Sequence, residues 1–251
     1  MARILTDETT LTRKRSFLKK ESSALEKIVL LEAGLAGLLA VAGIVLLLLG
    51  KGPALLIVGL GLGLLPTGHW LKIRENEKEH RSVSAGLKGE QQVTRLLKDS
   101  LGNDSYILND ITVRHGWKRA QIDHLVVTPR GIFVIETKTW RGVIEGDEQE
   151  AFWEQVRNPG DKPIRLRNPI MQNRRQISML RLWLEDKGIN WPDIYPVLVS
   201  KSAAGEFRIR NATVPTLRPA EAAQHISAQV SDRTYTEADV TAVINELMRT
   251  L

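Results

Sequence analysis

The sequence predicts an α/β fold, a mixed sheet flanked by helices, preceded by a two-helix membrane hairpin. Three observations carry this. An apolar stretch, "IVLLEAGLAGLLAVAGIVLLLL", fills residues 28–49 with Glu32 as its single acid. From residue 105 onward, short β-branched runs alternate with segments whose apolar residues recur at helical spacing. The chain closes on an amphipathic helix in which Thr236 is the cap and Val240, Val243, Ile244, Leu247 and Leu251 form one stripe.

Composition narrows the field. With 251 residues, 43% hydrophobic and 25% charged, the chain can bury a core. It has no cysteine, which excludes disulfides and thiolate metal sites and leaves oxygen or imidazole as metal donors. The net charge of +6 is unevenly spread: residues 1–81 hold 12 Lys/Arg against 8 Asp/Glu, and residues 82–251 hold 23 against 21. A polyanion partner therefore has to be argued locally, and residues 151–187, with 8 basic and 4 acidic side chains, are the one block that invites it.

Twenty-two residues at 1.5 Å each span the ~30 Å hydrocarbon core, so residues 28–49 read as one transmembrane helix. "GKGP" (50–53) turns the chain into a second segment, purely apolar only from Ala54 to Leu65, with Trp70 and Lys72 suited to an interface. A signal peptide fits poorly, because 27 residues precede the apolar run and a second one follows. "GLGLG" (59–63) lacks the third glycine of a dinucleotide loop; Gly59 and Gly63 read instead as small residues that let two helices approach. Arg13, Lys14, Arg15, Lys19, Lys20 and Lys27 precede the first span and Lys72, Arg74, Lys78 and Arg81 follow the second, with only Lys51 at the tip. Both flanks are expected in the cytoplasm of a plasma (bacterial inner) membrane. The expected organisation is a basic tail (1–27), a helical hairpin (28–73), a charged connector (74–83) and a soluble domain (84–251).

In the soluble domain, Val93, Leu96, Leu97 and Leu101 mark a helix over 85–101. "SYILNDITV" (105–113) reads as a strand and "HGWKRA" (115–120) as a loop. Asn168-Pro169 opens a helix that Gly188 stops. "DIYPVLVS" (193–200) and "ATVPTL" (212–217) read as further strands.

The chemistry lies in "IDHLVVTPRGIFVIETK" (122–138). A four-residue turn "TPRG" pairs Val127 with Ile132, and that register sets Asp123 opposite Glu136 on one face, with Lys138 two residues along on the same face. Facing carboxylates repel and ask for a cation. Two carboxylates and a lysine supply what Mg²⁺-dependent phosphodiester hydrolysis needs, hard oxygen ligands and a positive group near water and phosphate. The alternative is a solvated strand on which Lys138 simply neutralises two acids. Glu90, on the apolar face of the 85–101 helix, and Gln172, sharing a face with Gln176, Leu180 and Trp183, add polar groups where apolar ones are expected.

"GLKGEQQV" (86–93), the 122–138 hairpin and "NPIMQ" (168–172), in that order, resemble the nuclease-related domain, NERD, itself similar to PD-(D/E)XK nucleases. The resemblance covers residues 84–185. It implies a PD-(D/E)XK restriction-endonuclease-like core with Glu90, Asp123 and Glu136 as metal-binding carboxylates, Lys138 as catalytic lysine, Gln172 as a supporting glutamine, and Mg²⁺ (or Mn²⁺) as cofactor. It implies a nuclease acting on DNA or RNA, or an inactive relative that binds nucleic acid or a protein partner at the membrane. Lys118 and Arg119, in a basic loop with His115 and Trp117, and Arg174 and Arg175, beside Gln172, are the expected phosphate contacts.

Overall fold

A computed structural model describes residues 1–6, 9–190, 192–200, 205–231 and 233–250. In chain order the elements are β1 (Arg3–Thr6), α1 (Thr10–Leu48), α2 (Ala54–Leu62), α3 (Leu65–Ser100), β2 (Tyr106–His115), β3 (Lys118–Thr128), β4 (Gly131–Lys138) and β5 (Gly142–Asp147). There follow β6 (Phe152–Val156), β7 (Ile164–Arg167), α4 (Pro169–Asp186), β8 (Ile194–Ser200), β9 (Gly205–Arg210), β10 (Thr216–Leu217), α5 (Pro219–Ala228) and α6 (Glu237–Thr250). The chain divides into two units, Leu11–Ala85 and the pair of segments Met1–Thr10 and Gly86–Leu251.

The Leu11–Ala85 unit is helical. Two helical stretches, Thr10–Leu48 and Ala54–Ser100, are long and apolar enough to cross a membrane. Leu30, Leu38 and Leu48 stand 73%, 71% and 81% exposed, surface that water would penalise and a lipid phase would not. Gly59 does allow close approach: a Cβ there would lie 2.5 Å from Ala40 N. Its counterpart is Gly43, packed on Leu56, and not Gly63, which caps the end of α2. His69 Nδ1 meets Glu32 Oε2 at 2.9 Å, and Asn76 donates to Glu21 Oε2 at 3.0 Å.

The second unit is built on a six-stranded mixed sheet, β1-β2-β3-β4-β8-β10, in which β2, β3 and β4 are antiparallel neighbours and β1, β8 and β10 are added parallel. Leu125, Val127, Ile132 and Val134 bury one face with Leu180 and Trp183 of α4 and Val243 and Leu247 of α6. Val126, Phe133, Ile135 and Val197 bury the other with Val93 and Leu97 of α3 and Ala222 and Ile226 of α5. Thr236 caps α6 as expected, its Oγ1 accepting from Asp239 N at 3.2 Å; Leu251 of the expected stripe lies outside the described residues.

Two expectations need correction, and a second sheet joins the first. Arg3–Thr6 is no free tail but an edge strand parallel to β2. Residues 115–120 are no loop: β2 and β3 run on until His115 pairs with Lys118, leaving a two-residue Gly116-Trp117 turn with Gly116 at φ +55°. A second, four-stranded sheet, β7-β6-β5-β9, fills residues 142–167 and 205–210, and Trp153, Ile144, Ile170 and Val214 form its core.

Candidate active site

The β3–β4 turn sets the register as the sequence implied. Thr128 pairs with Gly131, Val127 with Ile132 and His124 with Ile135. Gly131 sits at φ +127° with Asp193 O only 2.7 Å from where a Cβ would be, so a side chain is excluded on two counts.

The ladder stops one residue short of the acids. Leu125 and Val127 face α4, and so do Ala120 and Ile122, so the inside-outside alternation of β3 slips by one around Asp123. On β2, Leu108 and Ile111 show the same slip across Asp110, which adopts a left-handed φ of +53°. Freed from a backbone partner on β3, the Thr137 N–H donates to Asp123 Oδ2 at 2.9 Å. The Asp110 carboxylate takes the Gln121 amide and the Thr10 N–H. The acids thus gather where sheet pairing fails.

Helix α4 supplies the other wall. Asn168 fixes its start: Oδ1 accepts from Ile170 N at 2.8 Å while Nδ2 donates to Glu148 O and Glu150 O at 2.9 and 2.7 Å. Pro169 at the first helical position needs no N–H partner. One turn on, the buried Asn173 amide donates to Val134 O at 2.9 Å. The same amide lies 3.4 Å from Val197 O, so Asn173 ties α4 to both β4 and β8.

Glu136 is 1% exposed and both its oxygens are engaged: Oε1 receives Lys138 Nζ at 2.5 Å and Oε2 receives Gln176 Nε2 at 2.6 Å. Gln176 also reaches Gln121 O at 2.8 Å. Lys138 Nζ turns to Gln172 Oε1 at 3.2 Å. Gln172 therefore supports the lysine, while Gln176, noticed in the sequence only as a neighbour on the same face, holds the carboxylate.

Burial pushes Asp123 well above the usual carboxylate range, with Glu136 and Glu90 adding to the rise and the Thr137 N–H and Lys138 opposing it. Glu90 is pushed up to about 7, first by burial and then by Asp110 and Glu136. It lines a cleft of about 380 Å³ with Thr94, Arg95, Lys98, Asn109 and His124. His124 is buried on this opposite side, its Nδ1 2.8 Å from Asn109 Oδ1, and burial drives it down to about 3, so it is neutral.

The expected metal ligands are neighbours electrostatically, yet among the described residues no three His, Asp or Glu side chains close around a common point. Lys138 Nζ stands against Glu136 Oε1 at 2.5 Å and neutralises that carboxylate. The donor chemistry still suits a hard divalent cation, since all the donors are carboxylate oxygens and two of the acids, Glu90 and Asp123, are held above their normal range by burial and then by the charge of neighbouring acids.

The expected phosphate contacts separate. Arg174 is tied to Glu148, a carboxylate 2% exposed that also receives Thr213 Oγ1 at 2.7 Å and Val214 N at 3.1 Å, so this arginine joins α4 to the second sheet. Arg175, Lys118 and Arg119 are exposed.

A mixed sheet covered by helices on both faces, with acids and a lysine at a strand end, is compatible with a nuclease-like α/β domain. Residues 85–200, just under half of the chain, match the nuclease-related domain family, NERD. An uncharacterized protein of Bacillus anthracis is 33% identical over 111 residues, which cover 44% of this chain and 51% of that relative. The chain thus spans about half the length of the curated relative it matches. No solved structure matches it.

Proposed function

We propose that this protein is a membrane-anchored, divalent-metal-dependent nuclease that hydrolyses phosphodiester bonds of DNA or RNA on the cytoplasmic side. One observation carries the reading: Lys138 Nζ bridges Glu136 and Gln172 beside Asp123, whose own charge is disfavoured by burial and by its acidic neighbours. Such a cluster gains by taking up a cation. Asp123 and Glu136, with Glu90, would hold Mg²⁺ or Mn²⁺, which supplies a Lewis acid for the phosphate when bound.

The protein's own groups do the rest. Gln176 fixes the Glu136 carboxylate from behind, and Thr137 N–H fixes Asp123. Lys138, whose ammonium lies between Glu136 and Gln172, would meet the phosphoryl oxygens as charge develops there. Water attacks phosphorus, one P–O ester bond breaks, and the leaving oxygen takes a proton. The basic flanks of the apolar helices favour the cytoplasmic orientation.

A second reading has its own observation. Because Lys138 satisfies Glu136 without a metal, the same domain would be stable as an inactive module that binds nucleic acid or a protein partner. The experiment is cleavage of labelled single- and double-stranded DNA and RNA by the full chain in nanodiscs, with Mg²⁺, Mn²⁺ or EDTA, beside Lys138→Ala and Asp123→Ala. Metal-dependent cleavage that falls about 100-fold or more in both variants is expected. Equal cleavage in wild type and variants would overturn the mechanism, and binding without cleavage would favour the second reading.

A further inference from the structure

The β2–β3 arm is unusual in what it shows to solvent. Its two-residue turn carries Trp117, fully exposed, at the tip. Directly below, Arg114 pairs with Arg119 across the strands and His115 with Lys118. Like charges in cross-strand positions weaken a ribbon. Only His115 is compensated, by Asp186 Oδ2 at 2.6 Å; among the described residues Arg114, Lys118 and Arg119 meet no acid. An aromatic ring above three uncompensated cations is complementary to a base and its phosphates.

The arm's distance from the site follows from two elements. Along β3, Lys118 to Asp123 is five residues, about 17 Å at ~3.4 Å each. Along α4, Gln176 touches Glu136 and Asp186 touches His115, and the ten residues between them rise about 15 Å. The two routes agree. A stacked strand rising ~3.4 Å per nucleotide covers that gap in about four to five nucleotides.

We infer that the β2–β3 arm is a binding site for single-stranded nucleic acid, with Trp117 stacking on an unpaired base about four to five nucleotides from the phosphate held at Lys138 and with Arg114, Lys118 and Arg119 on the flanking phosphates. The inference rests on the nuclease reading for what lies at Lys138, but not for the stacking itself. Bases inside a duplex are already stacked, so the arm selects unpaired ones. It sits on the strand that carries Asp123, which favours nucleic acid over the other surface that suits Trp beside Lys and Arg, an anionic lipid headgroup layer.

The test measures affinity in EDTA, where cleavage plays no part, using the full chain in phosphatidylcholine nanodiscs and a fluorescent 12-nucleotide single strand or its duplex. Trp117→Ala is expected to weaken single-strand binding about tenfold or more, Trp117→Phe to restore most of it, and the duplex to lose less than about threefold. Arg114→Ala with Arg119→Ala should flatten the salt dependence by about one to two in slope. Unchanged single-strand affinity in Trp117→Ala, or equal losses for strand and duplex, would overturn the inference. So would a Trp117 emission shift on phosphatidylglycerol vesicles with none on the oligonucleotide. If wild type binds through Trp117 but never cleaves, the nuclease reading fails and the arm stands; if it cleaves and Trp117→Ala binds normally, the arm alone fails.

Discussion

Glu90→Gln should stabilise the protein, and only at high pH. Glu90 rises from an ordinary 4.5 to about 7 in the fold because it is buried near Asp110 and Glu136. A carboxyl whose folded pKa lies above its unfolded one contributes stability that is complete below pH ~4.5 and lost as pH climbs through ~7. A rise of ~2.5 pH units at ~1.36 kcal/mol each makes the ionised form cost about 3 kcal/mol by pH 8. Glutamine keeps the shape and cannot ionise, and removing the charge also relieves Asp123, for which Glu90 is a further destabilising neighbour.

For a domain of this size ~1 kcal/mol moves Tm by about 2–4 °C, so the variant should melt about 6–12 °C above wild type at pH 8. The two should coincide at pH 4.5. The assay is thermal unfolding followed by near-ultraviolet circular dichroism at pH 4.5, 6 and 8 in EDTA. Repeating it with millimolar Mg²⁺ at pH 8 should raise wild type toward the variant, because the cation neutralises the same crowded acids. A gap that is the same at all three pH values, or no gap at pH 8, would refute the electrostatic account of this site.

Other consequences are as direct. Gln176→Leu strips Glu136 Oε2 of its buried donor and should cost about 1.5–3 kcal/mol in chemical unfolding, with a loss of kcat and an unchanged KM for nucleic acid. Arg174→Ala should lower Tm by leaving Glu148 buried without its cation, about 1–3 kcal/mol, while oligonucleotide affinity stays within twofold; a selective affinity loss would return Arg174 to the binding surface. Since the chain has no cysteine, Lys51→Cys should react with an impermeant maleimide on intact cells and Lys78→Cys only after lysis; the opposite pattern would reverse the proposed topology.

What the sequence revealed of this fold was whatever depends on neighbours. An even-length turn with Gly131 at its end sets the β3–β4 register, and Asn168-Pro169 announces α4, because both are local backbone chemistry. Long-range pairing was hidden. Strand β1 finds β2 more than 100 residues away, and β5 pairs with β9 in parallel across some 60 residues. The strands of the second sheet are short and carry charge, so no alternation long enough to read survives. Arg174 was legible as a charge and not as half of an ion pair, since Glu148 lies 26 residues earlier. Gln176 looked like any polar residue on an apolar face until the fold set it against Glu136.

The break in the sheet then explains why stability and the proposed activity should oppose each other. A continuous ladder at Asp110 and Asp123 would give Thr137 a backbone acceptor; here the Asp123 carboxylate takes that N–H instead, among Glu90 and Glu136. That arrangement costs folding energy in proportion to the charge it concentrates, and the same charge would draw in a divalent cation. Changes that relax the cluster, such as Glu90→Gln, should therefore raise Tm and lower metal affinity together. Changes that remove its supports, such as Gln176→Leu, should lower both, because the carboxylates then lose position without losing charge. A variant series that broke this pattern, with affinity and Tm rising together on neutralising Glu90, would mean that the acids are solvated members of an ordinary strand end and not a site.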